Sequence, residues 1–310
     1  MEVSGLSLDR LIALDALVEQ GTFSATAAHL SLTQPALSHR IRNLERACGA
    51  QLLRRTNPVE LTEPGKIVAR HARSVLSQIG DAERELADWR AAGPTGRLDV
   101  AASSAWAFYI LPPILQKLQA DVPEVEINLV TIGNSRQVIE AILGGRADVA
   151  VGIIGANPGR RDIRLVPLPE DEWYLISDSD SSLKDAREIS PARLRDMCVI
   201  LREDGSGTKE MFERILEQES VTPDTRLQFT STEAVKRAVE VGIGVSVIAG
   251  STVAAEVSRG TLRIHRFAGH RLRFPYLAGV SPQKYQGAAT RAFLSAIRTA
   301  PLPGPDLLPT

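Results

Sequence analysis

Polar and basic residues that could contact DNA bases lie close together near the start of the chain. One face of a predicted helix carries them at helical spacing: Pro35, His39, Arg42 and Arg46. Gln34 stands at the start of that helix, where a glutamine can form two hydrogen bonds with an adenine. The pattern predicts a recognition helix that enters the major groove of duplex DNA.

Two short helices and a tight turn must position this face. Thr33 is the predicted N-cap of the recognition helix, with Pro35 in its first turn and Gly49 at its end. Ser24 is the predicted N-cap of the preceding helix, and Gly21 ends an earlier apolar helix. The face opposite the polar one is apolar, with Leu37, Ile41 and Leu44 at 4,3 spacing. The segment is therefore predicted to be a helix-turn-helix.

Local charge favours a DNA-binding role over a purely structural three-helix motif. Between residues 23 and 73 there are eight Arg and Lys residues against three Glu residues, a local net charge of +5 (8 − 3). The whole chain has a formal net charge of −1. A basic patch on a nearly neutral protein is the pattern expected for contact with phosphates.

Several segments, taken in order, resemble the N-terminal domain of the LysR-type transcriptional regulators: TFSATAAHL, LTQPALSHRIRNLE, GAQLLRR and LTEPG. The resemblance implies a winged helix-turn-helix fold, with residues 52–62 as the β wing. The wing departs from the family pattern, because residues 55–61 are one residue short and Pro58 stands where a basic tip is common. The residues implied to bind DNA are Thr33, Gln34, Pro35, Ser38, His39, Arg42, Arg54 and Arg55.

A long helix is predicted after Pro64 and Gly65, reaching about Ala92. Its apolar residues follow 4,3 spacing over about three heptads, like the seam of a coiled coil. Flanking charges favour pairing between subunits over the alternative, a helix packed on its own domain. The resemblance also implies a dimerising linker helix. The predicted seam consists of Val68, Ala72, Val75, Ile79, Ala82, Leu86 and Trp89.

A homodimer would present two recognition helices to one duplex. Their half-sites should lie about 34 Å apart, or a multiple of that distance, on one face of B-DNA. We therefore expect double-stranded DNA with an imperfect palindromic operator as the partner. The resemblance favours a homotetramer built from dimers, and RNA polymerase is a further candidate partner.

After a flexible break at residues 93–96, strands alternate with helices, which predicts an α/β fold with mostly parallel sheets. The resemblance implies two lobes and a cleft, as in periplasmic solute-binding proteins. Crossovers between lobes are predicted near residues 165–169 and 263–267. The predicted divisions are a DNA-binding domain at 1–63, a linker helix at 64–92, an effector domain at 93–300 and a disordered tail at 301–310. Lobe 1 is predicted at about 97–165 and 267–300, and lobe 2 at about 166–266.

Small hydroxylic turns in both predicted lobes lie at helix starts, where unpaired N–H groups and the helix dipole favour anions. Ordinary N-capping is the alternative for each of them. The segment RxDGSGTxExFE resembles LysR-type regulators of sulfur assimilation and carbon-dioxide fixation, and we expect a small anionic metabolite as effector. Arg202, Lys209 and Arg136 are candidate cations nearby. The predicted effector-binding residues are Ser103, Ser104, Asn134, Ser206, Thr208 and Thr232.

Composition and motifs disfavour other classes of protein. The 310 residues contain no apolar run long enough to span a membrane and no secretory signal pattern. Cys48 and Cys198 are far apart, which fits a reducing cytoplasm and disfavours both a disulfide scaffold and two-cysteine redox sensing. No GxSxG, HExxH or CxxC motif and no metal-ligand spacing of histidines occurs, so we expect neither an enzyme nor a cofactor, metal or membrane partner. A transport-type solute-binding protein is disfavoured by the N-terminal DNA-binding pattern.

Overall fold

The computed structural model describes residues 5–54, 56–90, 94–153, 162–223 and 225–302. The chain divides into two compact units, residues 1–86 and 87–310. Helices and a short hairpin build the described part of the first unit, and its last helix continues into the second. These elements are α1 (Leu8–Gln20), α2 (Phe23–His29), α3 (Gln34–Cys48), β1 (Leu53–Arg54), β2 (Glu60–Leu61) and α4 (Glu63–Arg90).

Threonine side chains cap the two helices of the helix-turn-helix. Thr33 Oγ1 accepts a hydrogen bond of 3.3 Å from the backbone N–H three residues later, which confirms the predicted cap of α3. Gly49 ends α3 in the left-handed conformation, as predicted. The predicted cap at Ser24 is wrong. Thr22 is the extended residue whose Oγ1 accepts the N–H three residues later at 3.2 Å, so Ser24 already lies within α2.

The core of the first unit forms where α1 packs against α2 and α3. Leu14, Leu37 and Leu44 have no exposed surface, and Ile41 is 3% exposed. Burying a leucine or isoleucine side chain stabilises a fold by roughly 1.5–3 kcal/mol. The predicted apolar face of α3 is therefore confirmed as the buried one, and the opposite face is left in solvent.

The second unit alternates strands and helices over most of its described length. Its strands are β3 (Gly96–Ser103), β4 (Val125–Ile132), β5 (Val149–Ile153), β6 (Arg164–Asp178), β7 (Glu188–Ile189), β8 (Cys198–Arg202), β9 (Thr225–Phe229), β10 (Ser246–Ala249), β11 (Leu262–Phe267) and β12 (Arg273–Val280). Its α-helices are α5 (Leu111–Asp121), α6 (Ser135–Leu143), α7 (Gly207–Gln218), α8 (Thr232–Glu240), α9 (Gly250–Arg259) and α10 (Ala288–Arg298). A π-helical turn, Trp106–Ile110, leads into α5, and a 3₁₀ turn, Pro191–Asp196, precedes β8.

The sheet is mixed, so the prediction of mostly parallel pairing is wrong. Strands β4, β3, β5, β12, β6, β11 and β7 are neighbours in that order, β10 also pairs with β6, and β8 pairs with β9. The pairs β3–β4, β3–β5, β8–β9 and β11–β7 are parallel, whereas β12 and β6 are antiparallel to each of their neighbours. The physical reason is that β6 and β12 run past each other in opposite directions as the chain leaves one lobe and returns to it.

Strand β6 carries the chain from one lobe to the other. Residues 164–172 pair with β12, and residues 173–178 pair with β10 and β11. The change of partner at Glu172 and Trp173 falls beyond the predicted crossover at 165–169. The predicted return at 263–267 lies inside β11, and the chain crosses back between β11 and β12. We call residues 96–172 with 273–298 lobe 1 and residues 173–267 lobe 2.

The ends of two predicted segments lie outside the described residues. The long linker helix is present as α4 and is described as far as Arg90, while its predicted end near Ala92 falls in the gap at 91–93. Most of the predicted tail lies at residues 303–310, which are also outside. Of the helices that the structure describes, not one has both the length and the apolar composition that a bilayer crossing requires.

Candidate functional site

The exposed face of α3 carries the side chains that were expected to contact DNA. Its buried side is fixed by Leu37, Ile41 and Leu44, so the polar residues must face solvent. The first helical turn adds N–H groups at the start of a helix, where a phosphate could be held. Thr33, Gln34, Pro35, His39 and Arg42 are exposed, and Ser38 is half-buried.

Asn43 flanks the polar face of α3 and orders part of it through side-chain hydrogen bonds. Its Nδ2 lies 2.9 Å from His39 Nε2, and its Oδ1 accepts a 3.0 Å hydrogen bond from Arg46 Nη1. Arg42 Nε donates to the Ser38 carbonyl at 3.3 Å. These bonds hold long side chains in place before a partner arrives, which lowers the entropy lost on binding.

The β1–β2 hairpin forms the predicted wing. Arg54 pairs with Glu60 across the hairpin, and the closest approach of their charged groups is 3.9 Å with both side chains exposed. The wing is tied to α3 because the backbone N–H of Leu52 donates to Glu45 Oε1 at 2.9 Å. Arg54 therefore stands on a fixed hairpin, whereas Arg55 lies outside the described residues.

The predicted seam of α4 divides into two parts. Ala72 has no exposed surface and belongs to the core of the first unit, and Val68 packs against that core. The assignment of Ala72 to a subunit seam is therefore wrong, because this residue is fully buried within its own unit. Val68 is only half-buried, and its place in a seam stays a prediction. Further along the helix the apolar side chains are exposed, with Trp89 83% accessible. The exposed members of the seam are Val75, Ile79, Ala82, Leu86 and Trp89.

A cleft between the two lobes is lined by all six residues predicted to bind an effector. Lobe 1 contributes the turns after β3 and β4, and lobe 2 contributes the turn after β8 and the start of α8. The space between the walls is about 490 Å³ including its open mouth, and the enclosed part is small. The six residues are Ser103, Ser104, Asn134, Ser206, Thr208 and Thr232.

Two of the helix starts at this cleft are capped by side chains. Asn134 Oδ1 accepts a 3.1 Å hydrogen bond from the N–H of Gln137, and Ser231 Oγ accepts one of 3.0 Å from Ala234. Ser206 occupies the N-cap position of α7 but makes no side-chain capping bond. The ordinary capping explanation therefore applies to Asn134 and to the start of α8, and it does not apply to Ser206.

Two buried polar groups at the cleft have no hydrogen-bond partner among the described residues. They are Ser103 Oγ and Trp173 Nε1, on residues that are 8% and 4% exposed. Leaving a buried polar group unpaired costs roughly 1–3 kcal/mol, so both are suited to a ligand or to ordered water. Gly152 leaves the necessary space, because a Cβ there would lie 2.0 Å from Ser103 Oγ.

Arg202 is the one charged side chain among the described residues that line the cleft. Its guanidinium makes a two-pronged pair with Glu203, with contacts of 2.8 and 3.0 Å. It also donates to Thr232 Oγ1 at 2.8 Å and, across the cleft, to the Gly133 carbonyl at 2.9 Å. Glu203 neutralises the cation, so the cleft offers hydrogen bonds more than net charge.

The other two candidate cations are not among the residues that line the cleft. Lys209 Nζ pairs with Asp204 and lies 3.9 Å from Glu213, and it does not line the cleft. Arg136 meets lobe 2 through its backbone N–H, which donates to the Gly205 carbonyl at 3.4 Å. The Lys209 ammonium is thus paired with acids outside the cleft, whereas the Arg136 side chain lies beside Gly205, in the turn after β8.

A buried carboxyl lies where the chain crosses between the lobes. Asp171 is 6% exposed on β6, with the N–H of Ser251 at 3.4 Å and the hydroxyl of Tyr276 at 3.3 Å. Burial raises the pKa of Asp171 to about 6, against the opposing effect of its hydrogen bonds. Burial, with the nearby Asp171, also raises the pKa of Tyr276 well above its usual value, so its hydroxyl stays a donor.

Neither cysteine is in a disulfide, and the cleft lining contains none. Burial, assisted by the Glu45 carboxylate, raises the pKa of the Cys48 thiol, which makes it a poorer nucleophile at neutral pH. Within the described ranges no group of three or more His, Cys, Asp or Glu side chains could hold a metal ion.

A helix-turn-helix with an exposed polar face, followed in the chain by a two-lobed unit with a polar cleft, defines a DNA-binding regulator with a small-molecule-binding domain. The chain belongs to the LysR family of bacterial transcriptional regulators. Residues 8–66 match the bacterial regulatory helix-turn-helix model of the lysR family, and residues 91–301 match the LysR substrate binding domain. The resemblance of the N-terminal segments is thereby confirmed.

Individual relatives agree with this assignment. The chain is 30% identical over 305 residues to the RuBisCO operon transcriptional regulator of Acidithiobacillus ferrooxidans, covering 98% of this chain and 97% of that one. Full-length CbnR complexed with its target DNA has a TM-score of 0.67 at 22% identity, covering 94% of this chain and 99% of CbnR. The regulatory domain of Synechocystis CcmR in complex with 2-PG has a TM-score of 0.60 at 24% identity, covering 66% of this chain and 96% of that domain.

Proposed function

We propose that this LysR-family regulator binds a small anionic metabolite between the lobes of its effector domain, and that occupancy of the cleft controls its binding to an operator. The observation that carries the proposal is the convergence of hydroxyl-bearing helix starts from both lobes on one cleft. On this proposal the chain acts as a regulator and not as an enzyme.

Helix starts, hydroxyls and one neutralised guanidinium together suit an oxyanion. Helix N-termini present N–H groups and a partial positive charge. Because Glu203 already balances Arg202, the ligand would be held by many short hydrogen bonds instead of one ion pair. Ser103 Oγ and Trp173 Nε1 supply two further groups without partners among the described residues.

The small enclosed space favours sulfate, phosphate or a small carboxylate over an aromatic compound. That the CcmR regulatory domain is in complex with 2-PG supports the use of this type of domain for small molecules.

The proposed mechanism is a shift between lobe arrangements. An anion that touches both lobes stabilises the arrangement in which both sets of donors reach it. The free energy available is the difference in its affinity for the two arrangements and no more. The lobe angle would then change the spacing of the DNA-binding pairs within the oligomer.

We further propose that α3 and the wing contact the bases and phosphates of the operator. Gln34 would read a base edge, and His39, Arg42 and Arg54 would add base or phosphate contacts from exposed positions. The exposed apolar residues of α4, from Val75 to Trp89, would join two chains. The operator would then be an imperfect palindrome.

Calorimetry on the full-length protein tests the effector. Sulfate, phosphate and small carboxylates would be titrated at constant ionic strength beside neutral and aromatic compounds. We expect one anion class to bind, with at least a tenfold loss in a Ser206→Ala, Thr208→Ala variant, because two hydroxyls are worth about 1 kcal/mol each. Ser295→Ala, an exposed hydroxyl on α10, is the control. Binding only of neutral or aromatic compounds would reject the proposed effector class.

A further inference from the structure

Lys236 is a buried lysine at the boundary between the lobes. It lies on α8 directly after Val235, which lines the cleft, and it is 1% exposed. An ammonium group in such a place is unfavourable unless it is paired and fully hydrogen-bonded. The partners of Lys236 therefore indicate what the residue does.

The three N–H groups of Lys236 are all used. Nζ donates to Tyr109 Oη at 2.7 Å, to the Thr252 carbonyl at 3.0 Å and to Glu256 Oε1 at 2.9 Å. An ammonium has three donors, so this set is complete. Thr252 and Glu256 lie on α9 in lobe 2, whereas Tyr109 lies on the π-helical turn Trp106–Ile110 in lobe 1. One of the three bonds therefore joins the lobes.

Glu233 places a fourth oxygen atom within hydrogen-bonding distance of the same ammonium. Glu233 Oε1 is 2.7 Å from Lys236 Nζ and forms an ion pair, but it accepts no hydrogen bond among the described residues. If Tyr109 moved away with lobe 1, the released N–H could turn to Glu233. Lys236 would then keep three hydrogen bonds with the lobes apart as well as together. Two arrangements of similar energy are what a ligand of modest affinity can shift.

Tyr109 is not needed to balance the charge. Glu233 and Glu256 face Lys236 and Arg259, whose guanidinium lies 3.4 Å from Glu256. These two acids and two bases all belong to α8 and α9 of lobe 2. The bond to Tyr109 is thus an addition to a neutral cluster, so lobe 2 can lose it without leaving a buried charge unpaired.

The same contact shapes the walls of the cleft. Thr252, whose carbonyl accepts from Lys236, lines the cleft from lobe 2. Tyr109 follows Ser103 and Ser104, which line it from lobe 1, within the same short segment. A change at the Lys236–Tyr109 contact would therefore alter the separation of residues that face each other across the cleft.

We propose that Lys236 and Tyr109 form a latch between the lobes, closed in the effector-bound arrangement and open when Lys236 turns to Glu233. Lys236 is a positioning residue, which touches the walls of the cleft and not the effector. The effector-linked part of this inference rests on the proposed function, whereas the latch itself does not.

Hydrogen exchange of the full-length protein without any added ligand tests the latch. Tyr109→Phe removes the hydroxyl and keeps the ring, whose centroid lies 4.5 Å from Nζ. We expect about two- to fivefold faster exchange of amides in residues 105–111 in this variant. One lost hydrogen bond corresponds to about fivefold, and the turn of the ammonium to Glu233 recovers part of it. Arg237→Ala breaks an exposed ion pair with Glu240 within α8 and is the matched control, with wild-type exchange expected at 105–111.

Inorganic sulfate and phosphate are the probes that test whether the latch is linked to effector binding. If either binds the wild type, Tyr109→Phe should bind it several-fold more weakly, and saturation should restore slow exchange at 105–111. If neither binds the wild type, the proposed effector class fails while the exchange of the unliganded variants still decides the latch. Exchange at residues 105–111 in Tyr109→Phe that matches the wild type would overturn the latch.

Discussion

The pair formed by Arg202 and Glu203 sets the charge of the interlobe cleft. Arg202 Nε and Nη2 are both directed at the Glu203 carboxylate, and the guanidinium also reaches the Gly133 carbonyl of the other lobe. An anion entering the cleft would meet a cation that is already neutralised. How strongly Glu203 neutralises Arg202 can be tested by replacing Glu203 with an uncharged residue of the same shape.

Glu203→Gln should increase the affinity for sulfate or phosphate about five- to thirtyfold. Removing one negative charge close to a bound anion is worth on the order of 1–2 kcal/mol at the boundary of a protein. Calorimetry at two salt concentrations measures the change, and the gain should shrink at higher salt. Glu213→Gln, which loses a partner of Lys209 outside the cleft, is the control. Unchanged affinity in a folded Glu203→Gln variant would mean that Arg202 does not face the anion.

Asp171 gives a pH dependence to stability. Burial raises its pKa to about 6 in the folded protein, above the value of about 3.9 in an unfolded chain. The folded state therefore holds this proton more tightly than the unfolded state. The resulting stabilisation is complete below about pH 4 and is lost as the pH rises through 6. At neutral pH the buried carboxylate costs the fold up to about 3 kcal/mol.

Asp171→Asn should remove this dependence. We expect its free energy of unfolding, relative to the wild type, to be higher at pH 7.5 than at pH 4.5 by about 1–3 kcal/mol. Denaturant unfolding at both pH values measures the difference, and the exposed Asp180→Asn controls for the loss of a carboxylate. An identical difference at the two pH values would show that Asp171 does not titrate in this range.

Among the elements, α3 is the one proposed to supply sequence-specific contacts, so its variants should separate operator binding from general binding to duplex DNA. Gln34→Ala should weaken binding to the operator by about 1–3 kcal/mol, because an adenine contact of two hydrogen bonds would be lost. Binding to random duplex should change little, since phosphate contacts remain. Fluorescence anisotropy with both duplexes measures the two affinities side by side. An equal loss on both would make Gln34 a phosphate contact, and no loss would remove it from the interface.

Helix α4 makes a separate prediction about assembly. Ile79→Asp places a charge within the exposed apolar residues of the seam, and sedimentation should show a monomer, because burying an unpaired carboxylate costs several kcal/mol. Ser74→Asp puts the same charge on an exposed position outside the seam and should remain a dimer. A dimer of Ile79→Asp at micromolar concentration would place the interface elsewhere.

The elements were predictable to the extent that their signals are local. Helix α3 has a threonine cap, a first-turn proline and a terminal glycine, and its bounds follow from these residues. The heptad spacing in α4 could not tell a subunit seam from packing on its own unit, because Val68 and Ala72 fit both. Thr22 and Ser24 are both suitable N-cap residues for α2. The structure shows that Thr22 has the extended backbone and accepts the capping hydrogen bond.

At the scale of the whole molecule, the two-lobed α/β plan and the six cleft residues were predictable, but the pairing of strands was not. Turns at strand ends meet at one edge of a sheet whatever their distance along the chain. The antiparallel course of β6 and β12 depends on contacts between residues about 110 apart. Lys236 and Trp173 gave no signal either, because a lysine in a helix and a tryptophan in a strand are ordinary until burial is known.

This LysR-family regulator is proposed to hold an anion in its interlobe cleft and to change its affinity for DNA when the anion binds. The deciding measurement is fluorescence anisotropy of the intact protein with promoter fragments of its source genome and with random duplex, at moderate salt, with and without the anion that calorimetry selects. We predict a preference for at least one promoter fragment, and a change in that affinity when the anion saturates the wild type but not the Ser206→Ala, Thr208→Ala variant. No preference over random duplex would rule out sequence-specific binding, and a preference that the anion leaves unchanged would rule out control by the cleft.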